Sequence, residues 1–257
     1  MKPKALILQA HGSNRDFDVM DALSLAGADP TGIPLNELRM NNTLFRNFNL
    51  LVLPGGFSYA DALGAGKLLA LDLASYFVDE ISAFVDSGKP VIGICNGFQA
   101  LVKSGILPGK QSEGRATLTF NEQGHFECRW VNLKPVSQKC IWTKDLSENI
   151  TSPIAHGEGN FQTTSLFPLS SFLTKDQIAL AYIHADGSPA KGEYPINPNG
   201  SMFDIAGICN PKGNVLGLMP HPENHIHKWQ HPRHTRGEHG GSGLRLFENG
   251  VKYATQI

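Results

Sequence analysis

One cysteine stands where an apolar run gives way to a helical pattern, within the segment Gly93-Ile94-Cys95-Asn96-Gly97. A nucleophile at such a junction sits on a sharp turn that projects its side chain above the helix N-terminus. The helix N–H groups and dipole favour the thiolate, which is the attacking species. Gly93 and Gly97 relieve crowding in the turn, and the N–H of Asn96 is placed to stabilise an oxyanion. The spacing predicts a nucleophilic Cys95; a buried cysteine between structural glycines is the alternative.

A cysteine nucleophile needs a base and a group that orients the base. A suitable pair follows the apolar run at residues 215–219, where the sequence reads PHPE at 220–223. In an extended segment, side chains two residues apart point to the same side, so Glu223 can hold the imidazole of His221. A histidine beside a carboxylate is common on surface loops, so the pair is weak evidence alone. With Cys95, it predicts a Cys-His-Glu triad.

Two consecutive glycines, Gly55 and Gly56, follow another apolar run at residues 49–53. Glycine lets the backbone approach a ligand closely and aim its N–H groups inward, which makes this turn a candidate substrate-binding loop. A plain tight turn is the alternative. The Gly-Lys pairs at 66–67 and 88–89 lack the other residues of a Walker A loop, and no GxGxxG follows a strand. We therefore expect no nucleotide to bind through these loops.

Apolar strands that alternate with helices carry the cysteine and the glycine turn. The predicted strands lie at residues 5–10, 49–53 and 90–94, and the predicted helices begin near Arg15 and lie at 68–85 and 96–103. Fully apolar strands in such an alternation indicate a parallel sheet covered on both faces. Ligands bind at the carboxyl ends of its strands. We predict an α/β fold with a mainly parallel central sheet flanked by helices.

The second half of the chain has strands separated by turns rich in glycine, proline and asparagine. Antiparallel strands are predicted at residues 116–120, 126–133, 178–183, 205–208 and 215–219, followed by a final helix at about 243–254. Residues 210–214 read NPKGN and should join the last two strands as a hairpin. Residues 185–201 are polar and rich in proline and glycine, so we expect an exposed loop. These strands should extend the parallel sheet.

Length, charge and cysteine usage narrow the class of protein. A chain of 257 residues, 41% hydrophobic and 18% charged, can bury one large core, and we expect a single domain over residues 1–257. The net charge of −1 favours neither nucleic acid nor an anionic membrane. No apolar stretch approaches the roughly 20 residues that span a bilayer. The four cysteines lie far apart without a CxxC pair, which fits a reducing cytoplasm.

The motifs together resemble those of class I, or triad, glutamine amidotransferases. The matching segments read PGGFSY at 54–59, GICNGFQ at 93–99 and MPHPE at 219–223. Two more, PIAHGEG at 153–159 and NPNGS at 197–201, look like signatures of the glutaminase subunits of phosphoribosylformylglycinamidine synthases. The resemblance runs from about residue 5 to residue 224 and also fits the glycine-rich start of the final helix. It implies a flavodoxin-like α/β core.

The resemblance assigns roles to residues of the three motifs. It implies a nucleophile, a general acid/base and an orienting carboxylate at Cys95, His221 and Glu223. It implies substrate-binding and oxyanion-hole positions at Gly55, Gly56, Asn96 and Gln99. Two positions depart from the family: Arg15 stands where a cysteine is often found, and Ala60 where a glycine is common. Neither belongs to the triad, and both leave local substrate or channel contacts open.

The resemblance also implies a substrate and a partner. The substrate is glutamine, and the ammonia released passes to a large synthetase subunit, which uses ATP and magnesium to make formylglycinamidine ribonucleotide in purine synthesis. It leaves a third small subunit open and implies no cofactor or metal in this chain. We further expect docking, through an exposed loop at 197–201, to hold the Gly55–Gly56 turn in its active state.

Two other classes remain open at this point. A stand-alone γ-glutamyl hydrolase or cysteine peptidase could use the same triad without a partner, and turnover of γ-glutamyl peptides but not glutamine would favour it. A catalytically idle regulatory homologue would also keep the fold. The intact set of Cys95, His221 and Glu223 argues against that reading.

Six of the ten histidines lie between His221 and His239. A metal site is one interpretation, because His225 and His227 would share a face of a strand. No carboxylate or cysteine recurs at a metal-binding spacing, however. We therefore favour a solvated, mildly basic loop above the active site.

Overall fold

The computed structural model describes residues 1–109, 116–164 and 169–257. Its strands are β1 (Lys4–Gln9), β2 (Asp29–Pro34), β3 (Leu50–Leu53), β4 (Val91–Ile94), β5 (Ala116–Thr119), β6 (Glu127–Pro135), β7 (Ile150–His156), β8 (Asn160–Thr163), β9 (Ile178–Ile183), β10 (Ile205–Cys209) and β11 (Val215–Leu218). Its α-helices are α1 (Asp16–Leu25), α2 (Leu35–Met40), α3 (Lys67–Tyr76), α4 (Val78–Asp86), α5 (Asn96–Lys103), α6 (Leu169–Thr174) and α7 (Leu244–Ala254). The alternation of strands and helices confirms the predicted α/β fold.

Within the described residues, nine strands form one sheet in the order β2-β1-β3-β4-β11-β10-β9-β6-β7. The first five strands in this order, from β2 to β11, are parallel to one another. Every residue of β3, β4 and β11 is buried, as expected for strands covered on both faces. The carboxyl ends of these three strands meet at one edge of the sheet. That edge carries the glycine turn, Cys95 and His221.

An antiparallel extension completes the sheet from β11 to β7. Strand β11 is parallel to β4 on one side and antiparallel to β10 on the other, so it is the point where the sheet changes direction. The prediction that residues 215–219 form an antiparallel strand is therefore correct for one neighbour only. Strands β5 and β8 pair with each other in a separate two-stranded sheet.

Tertiary packing divides one predicted helix. The pattern at residues 68–85 forms two helices, α3 and α4, with Phe77 between them at φ −129°. Phe77 is fully buried, and its ring lies 5.7 Å from that of Phe45. Hydrophobic spacing alone does not reveal such a break, because the side chain at the break belongs to the core. None of the helices in the described parts of the chain is long and apolar enough to cross a membrane.

The region predicted as an exposed loop is buried at its end. Residues 191–195 are exposed, whereas Asn197, Asn199 and Ser201 are buried. The amide of Asn197 donates to Asp204 Oδ1 at 2.9 Å and to the carbonyl of Ser201 at 2.8 Å. These polar side chains satisfy one another inside the protein. The expectation that residues 197–201 form an exposed loop is therefore wrong.

Candidate active site

The backbone turns sharply at Cys95. This residue adopts φ 49° and ψ −104°, while its N–H donates to the carbonyl of Leu218 at 2.8 Å. A Cβ on Gly97 would lie 2.0 Å from the carbonyl oxygen of Leu53, and one on Gly93 would lie 2.8 Å from the carbonyl oxygen of Gly97. Both glycines are required by close packing, as the sequence indicated. A non-glycine residue in strained backbone at a strand end is a mark of a functional position.

The pairing of β4 with β11 brings the other two predicted residues beside the cysteine. Ile94 pairs with Leu218, so Cys95 and the segment that holds His221 leave the sheet side by side. His221 Nδ1 lies 2.6 Å from Glu223 Oε1, and both side chains are buried. This contact fixes the orientation of the imidazole.

The His221 imidazole is held in its charged form. Burial alone lowers the pKa of His221, but the negative charges of Glu223 and of the Cys95 thiolate, with the hydrogen bond to Glu223, raise it overall. An imidazolium beside a thiolate is the ion pair from which a cysteine nucleophile attacks. The geometry can therefore perform acyl transfer with a proton shuttle.

Strand β7 forms a wall of the site that the sequence prediction missed. Its carbonyl at Pro153 accepts the N–H of His221 at 2.8 Å, and its carbonyl at Ala155 accepts from Cys95 Sγ at 3.7 Å. Among the described strands, β7 lies at the end of the sheet and pairs with β6 alone, so its second edge can face these residues. Ile150, Ser152 and Ile154 are all buried, but the polar Ser152 interrupts the apolar alternation that would have marked a strand in the sequence.

The glycine turn packs directly against the triad. A Cβ on Gly55 would lie 2.7 Å from His221 Cε1, so only glycine leaves room for the imidazole. Gly56 has φ +130° and lies against Asn14, and Phe57 donates its N–H to the carbonyl of Gly12 at 3.0 Å. The turn is thus adjacent to the reacting groups, where a backbone oxyanion hole is needed.

The side chains of Asn96 and Gln99 are already bonded inside the protein. Asn96 Oδ1 accepts from the hydroxyl of Ser58, and its amide donates to Asp61 Oδ1 at 2.8 Å. Gln99 donates to the carbonyl of Glu158 at 2.7 Å and accepts from Asn96 at 3.3 Å. Burial raises the pKa of Asp61 above its usual range. The network fixes the loops around the elbow, and the substrate contacts assigned to both residues stay predictions.

Arg15 and Ala60, the two positions that depart from the family pattern, both lie near the glycine turn in the chain or in space. Ala60 adopts φ +55°, a left-handed conformation that glycine takes without strain, which explains why glycine is common there. Arg15 forms an ion pair with Asp18 at 3.2 Å. Its Cγ would lie 3.5 Å from a Cβ on Gly55, so Arg15 borders the glycine turn.

The histidine-rich segment differs from a solvated loop. Residues 232–239 are exposed, but His225 is buried and its ring lies 4.9 Å from that of Trp130. His225 Nδ1 contacts the carbonyl of Thr151 on β7, and His227 Nε2 lies 2.8 Å from Asp21 Oδ2 on α1. His225 and His227 do not lie on a strand. Among the described residues, no group of three or more metal-ligating side chains is positioned to hold an ion.

Comparisons with known proteins identify the family of the chain. A family model, the CobB/CobQ-like glutamine amidotransferase domain, matches residues 2–254. The phosphoribosylformylglycinamidine synthase subunit PurQ of Treponema denticola is 55% identical, over 98% of this chain and 99% of its own. PurQ of Dehalococcoides mccartyi is 41% identical, over 100% of this chain and 99% of its own.

Two solved structures are similar to this chain in fold. The structure of PurLQS from Thermotoga maritima matches with a TM-score of 0.74 and 31% identity, over 98% of this chain and 99% of that one. The glutaminase domain of Trypanosoma brucei CTPS, with acivicin bound, matches with a TM-score of 0.56 over 98% of this chain and 94% of that one. At 12% identity, this match shows a similar fold and nothing more.

The α/β fold and the family model place the chain in the class of glutamine amidotransferases. With the comparisons, they show that the chain belongs to the CobB/CobQ-like glutamine amidotransferase family. The curated relatives described above are PurQ subunits of phosphoribosylformylglycinamidine synthase, and not stand-alone γ-glutamyl hydrolases.

Proposed function

We propose that this chain is the glutaminase subunit of phosphoribosylformylglycinamidine synthase and that Cys95, His221 and Glu223 perform its chemistry. One observation carries the assignment of residues. A cysteine in strained backbone at a strand end lies beside a buried histidine, whose Nδ1 is 2.6 Å from a buried carboxylate. The identity of 55% to a full-length PurQ subunit supports the assignment of the reaction.

The first half of the reaction forms a thioester. The Cys95 thiolate attacks the side-chain amide of glutamine, and negative charge develops on the amide oxygen. The N–H of Asn96 at the start of α5 and an N–H of the Gly55–Gly56 turn stabilise that charge. The His221 imidazolium then gives its Nε2 proton to the departing nitrogen, so ammonia leaves and the γ-glutamyl thioester remains.

The second half hydrolyses the thioester. His221, now neutral, takes a proton from water as the water oxygen bonds to the thioester carbon. Glu223 stabilises the imidazolium that forms. The C–S bond breaks, glutamate leaves, and Cys95 and His221 return to their starting states.

The ammonia serves a synthetase. We assign its use to the large subunit, where ATP and magnesium would bind and formylglycinamide ribonucleotide would be converted to its amidine. We assign no cofactor to this chain, and we place it in the cytoplasm as a single glutaminase domain. A third small subunit is compatible with this assembly.

The glycine turn provides a means to couple the two sites. Free ammonia is lost to solvent, so a glutaminase benefits when its oxyanion hole forms only in the complex. Gly55 and Gly56 can present an N–H inward or turn it away, and one lost oxyanion donor costs roughly 2.7–4 kcal/mol. Docking would shift this population. Because Asn197, Asn199 and Ser201 are buried, the docking surface must lie elsewhere.

A titration tests the proposed function. Synthetase and its nucleotide substrate are added to this chain at saturating glutamine, while glutamate release is followed. We expect slow release from the isolated chain and a rate that rises about a hundredfold or more with partner, as one oxyanion donor is gained. A Cys128→Ala variant, which removes an exposed thiol outside the site, should behave like the wild type. A rate that is already high and stays flat would contradict the coupling, and absence of glutamate in every mixture would contradict the function.

A further inference from the structure

Two imidazole nitrogens at the site lack a partner. The Nε2 atoms of His221 and His156 are both buried and make no hydrogen bond within the described part of the chain. The mechanism above uses His221 Nε2 to move protons, but it gives His156 no role. A buried polar atom that stays unpaired is costly, so such an atom beside reacting groups indicates a ligand contact.

The hydrogen bonds around His156 define its tautomer. The amide nitrogen of Asn121 donates to the carbonyls of His125 and His156, at 3.0 and 2.8 Å. Asn121 Oδ1 is therefore directed at the other contacts, the N–H of Gly159 at 2.9 Å and His156 Nδ1 at 3.1 Å. Nδ1 must carry the proton that it donates to this oxygen. Nε2 is then a lone-pair acceptor.

His156 lies next to the reacting groups. It follows Ala155, whose carbonyl accepts from Cys95 Sγ at 3.7 Å, and it lies three residues after Pro153, which binds the N–H of His221. Burial, and then the nearby charge of His221, lower the pKa of His156 to about 3. The ring is neutral in the working enzyme, so it can accept a hydrogen bond and cannot serve as an acid.

The protein offers this acceptor no donor among the described residues. Two donors near Gly159 bond elsewhere: Asn199 Nδ2 donates to the hydroxyl of Tyr182 at 3.1 Å, and the N–H of Gly159 donates to Asn121. Gly159 has no side chain, and a Cβ there would lie 2.3 Å from His156 Cε1. The ring is thus fixed in place, and the missing donor must come from water or from the reacting molecule.

We propose that His156 is a positioning residue for hydrolysis of the thioester, with Nε2 accepting the second hydrogen of the attacking water. This inference rests on the proposed glutaminase function. Water carries two hydrogens: one goes to His221 Nε2 as the C–O bond forms, and the other is held by His156. The C–S bond breaks to give glutamate and the Cys95 thiolate, and the proton taken from water stays on His221, which restores the starting ion pair. His156 gains and loses no proton, and it orients the oxygen lone pair toward the carbon.

The same acceptor suits the departing ammonia. The nitrogen receives its proton from His221 while one of its own N–H bonds points to His156 Nε2. The neutral ring holds no proton on Nε2, so it cannot convert ammonia to ammonium, which could not act as a nucleophile in the synthetase. Water and ammonia therefore use the same acceptor, His156 Nε2, in turn.

Two substitutions separate the functions of the ring. In His156→Asn the amide nitrogen can replace Nδ1 and keep the bond to Asn121, while the Nε2 acceptor is lost. In His156→Gln the amide oxygen reaches the place of Nε2, while the Nδ1 donor is lost. In the complex with the synthetase, we expect His156→Asn to lower kcat for glutamate release about tenfold, the effect of one hydrogen bond to a transition state. The KM for glutamine should stay within about twofold, and His156→Gln should retain more kcat than His156→Asn.

Intact-mass measurements locate the affected step. During turnover, a larger share of His156→Asn than of wild type should carry a glutamyl group on Cys95, because hydrolysis has slowed. Alkylation of Cys95 by a diazo glutamine analogue requires no attacking water and should keep the wild-type rate. A matched control is His225→Asn, which removes another buried histidine whose Nε2 is unpartnered; its kcat should equal that of the wild type.

Several results would overturn the proposal. A raised KM with unchanged kcat would assign His156 to glutamine binding, and an unchanged kcat and KM would leave it structural. Equal loss in His156→Asn and His225→Asn, with slower alkylation in both, would indicate general damage. Each of these outcomes leaves the glutaminase function standing when the wild type is alkylated at Cys95. A wild type that is neither alkylated nor active would contradict the proposed function itself.

Discussion

Two buried regions face each other across the site, and they are built in different ways. The elbow between β4 and α5 is fixed by local backbone: Cys95 takes φ 49°, and Gly97 packs against the carbonyl of Leu53 with no space for a methyl group. The wall formed by β7 is fixed by contacts from distant parts of the chain, such as Asn121 on His156. The first region holds the nucleophile, and the second sets its surroundings.

The two regions also hold their histidines in opposite states. Beside the elbow, Glu223 and Cys95 raise the pKa of His221 despite its burial. On β7, burial without a carboxylate, together with the charge of His221, lowers the pKa of His156 to about 3. One ring is kept charged and the other neutral within a single site. The charged His221 can therefore transfer a proton, whereas the neutral His156 can accept a hydrogen bond.

The largest expected effect comes from the nucleophile at the elbow. Cys95→Ala should abolish glutamine-dependent synthesis in the reconstituted complex, because no thioester can form. Synthesis with added ammonium salts should continue, since the synthetase is untouched. The measurement is product formation with each nitrogen source. Glutamine-dependent activity that survives in the variant would show that Cys95 is not the nucleophile.

The second effect ranks the partners of the nucleophile. His221 moves protons, whereas Glu223 orients and stabilises the imidazolium, so His221→Ala should lower kcat more than Glu223→Ala. A gap of roughly tenfold or more is expected, because the orienting carboxylate contributes less than the base. Glutamate release by the two variants, each with synthetase, provides the test. The reverse order would exchange the roles.

The third effect compares the space for an added methyl group in the two regions. Gly97→Ala places a methyl group 2.0 Å from the carbonyl oxygen of Leu53, whereas Gly157→Ala, just after β7, meets only the Phe126 ring at 3.8 Å. We expect Gly97→Ala to lower the free energy of unfolding by about 3 kcal/mol or more and Gly157→Ala by less than about 1 kcal/mol. Denaturant unfolding of both variants measures this. Similar losses would show that the elbow is no more constrained than the wall.

The smallest effect is the acid sensitivity that His156 contributes. The unfolded chain takes up a proton on this residue near its usual pKa of 6.5, but the folded protein does so only near 3. Stability from this group is therefore present above pH 6.5 and is lost as the pH falls toward 3. Between pH 7 and pH 5, the loss is about 2 kcal/mol.

The measurement compares wild type with His156→Asn. Urea unfolding at both pH values should show that the variant loses about 2 kcal/mol less than the wild type over this interval. Equal losses would mean that His156 titrates in the folded protein as it does in the unfolded chain. The neutral state assigned to the His156 ring would then be incorrect.

The elbow could be predicted from the sequence because its causes are local. An apolar run, two glycines around Cys95 and a helical pattern are adjacent in the chain, and helix α5 has the predicted bounds of Asn96–Lys103. The contact between His221 and Glu223 was also predicted, but from an extended segment, whereas Pro222–Asn224 form a 3₁₀ turn that brings the two side chains together. Strand β9, an apolar run of six residues, also lies where it was predicted.

The wall could not be predicted in the same way. Strand β7 contains a proline and polar residues, and it is stabilised by pairing with β6 and by contacts to the triad, which a local pattern does not encode. The edge strand β2 (Asp29–Pro34) was missed for a similar reason, since its two prolines and Gly32 weaken the strand signal. The burial of Asn197 and Asn199 depends on partners such as Asp204 and Tyr182 that only the folded chain brings near.

We propose that Cys95 is the nucleophile because of its position at the elbow, and not merely because it is a thiol. The chain provides its own control, since Cys128 is exposed whereas Cys95, Cys140 and Cys209 are buried. The most direct measurement is reaction with a diazo glutamine analogue, in the presence of the synthetase, followed by mass mapping of the modified peptide. We predict a single adduct on Cys95, lost when excess glutamine is added. An adduct on Cys128, or on either of the other two cysteines, would contradict the claim.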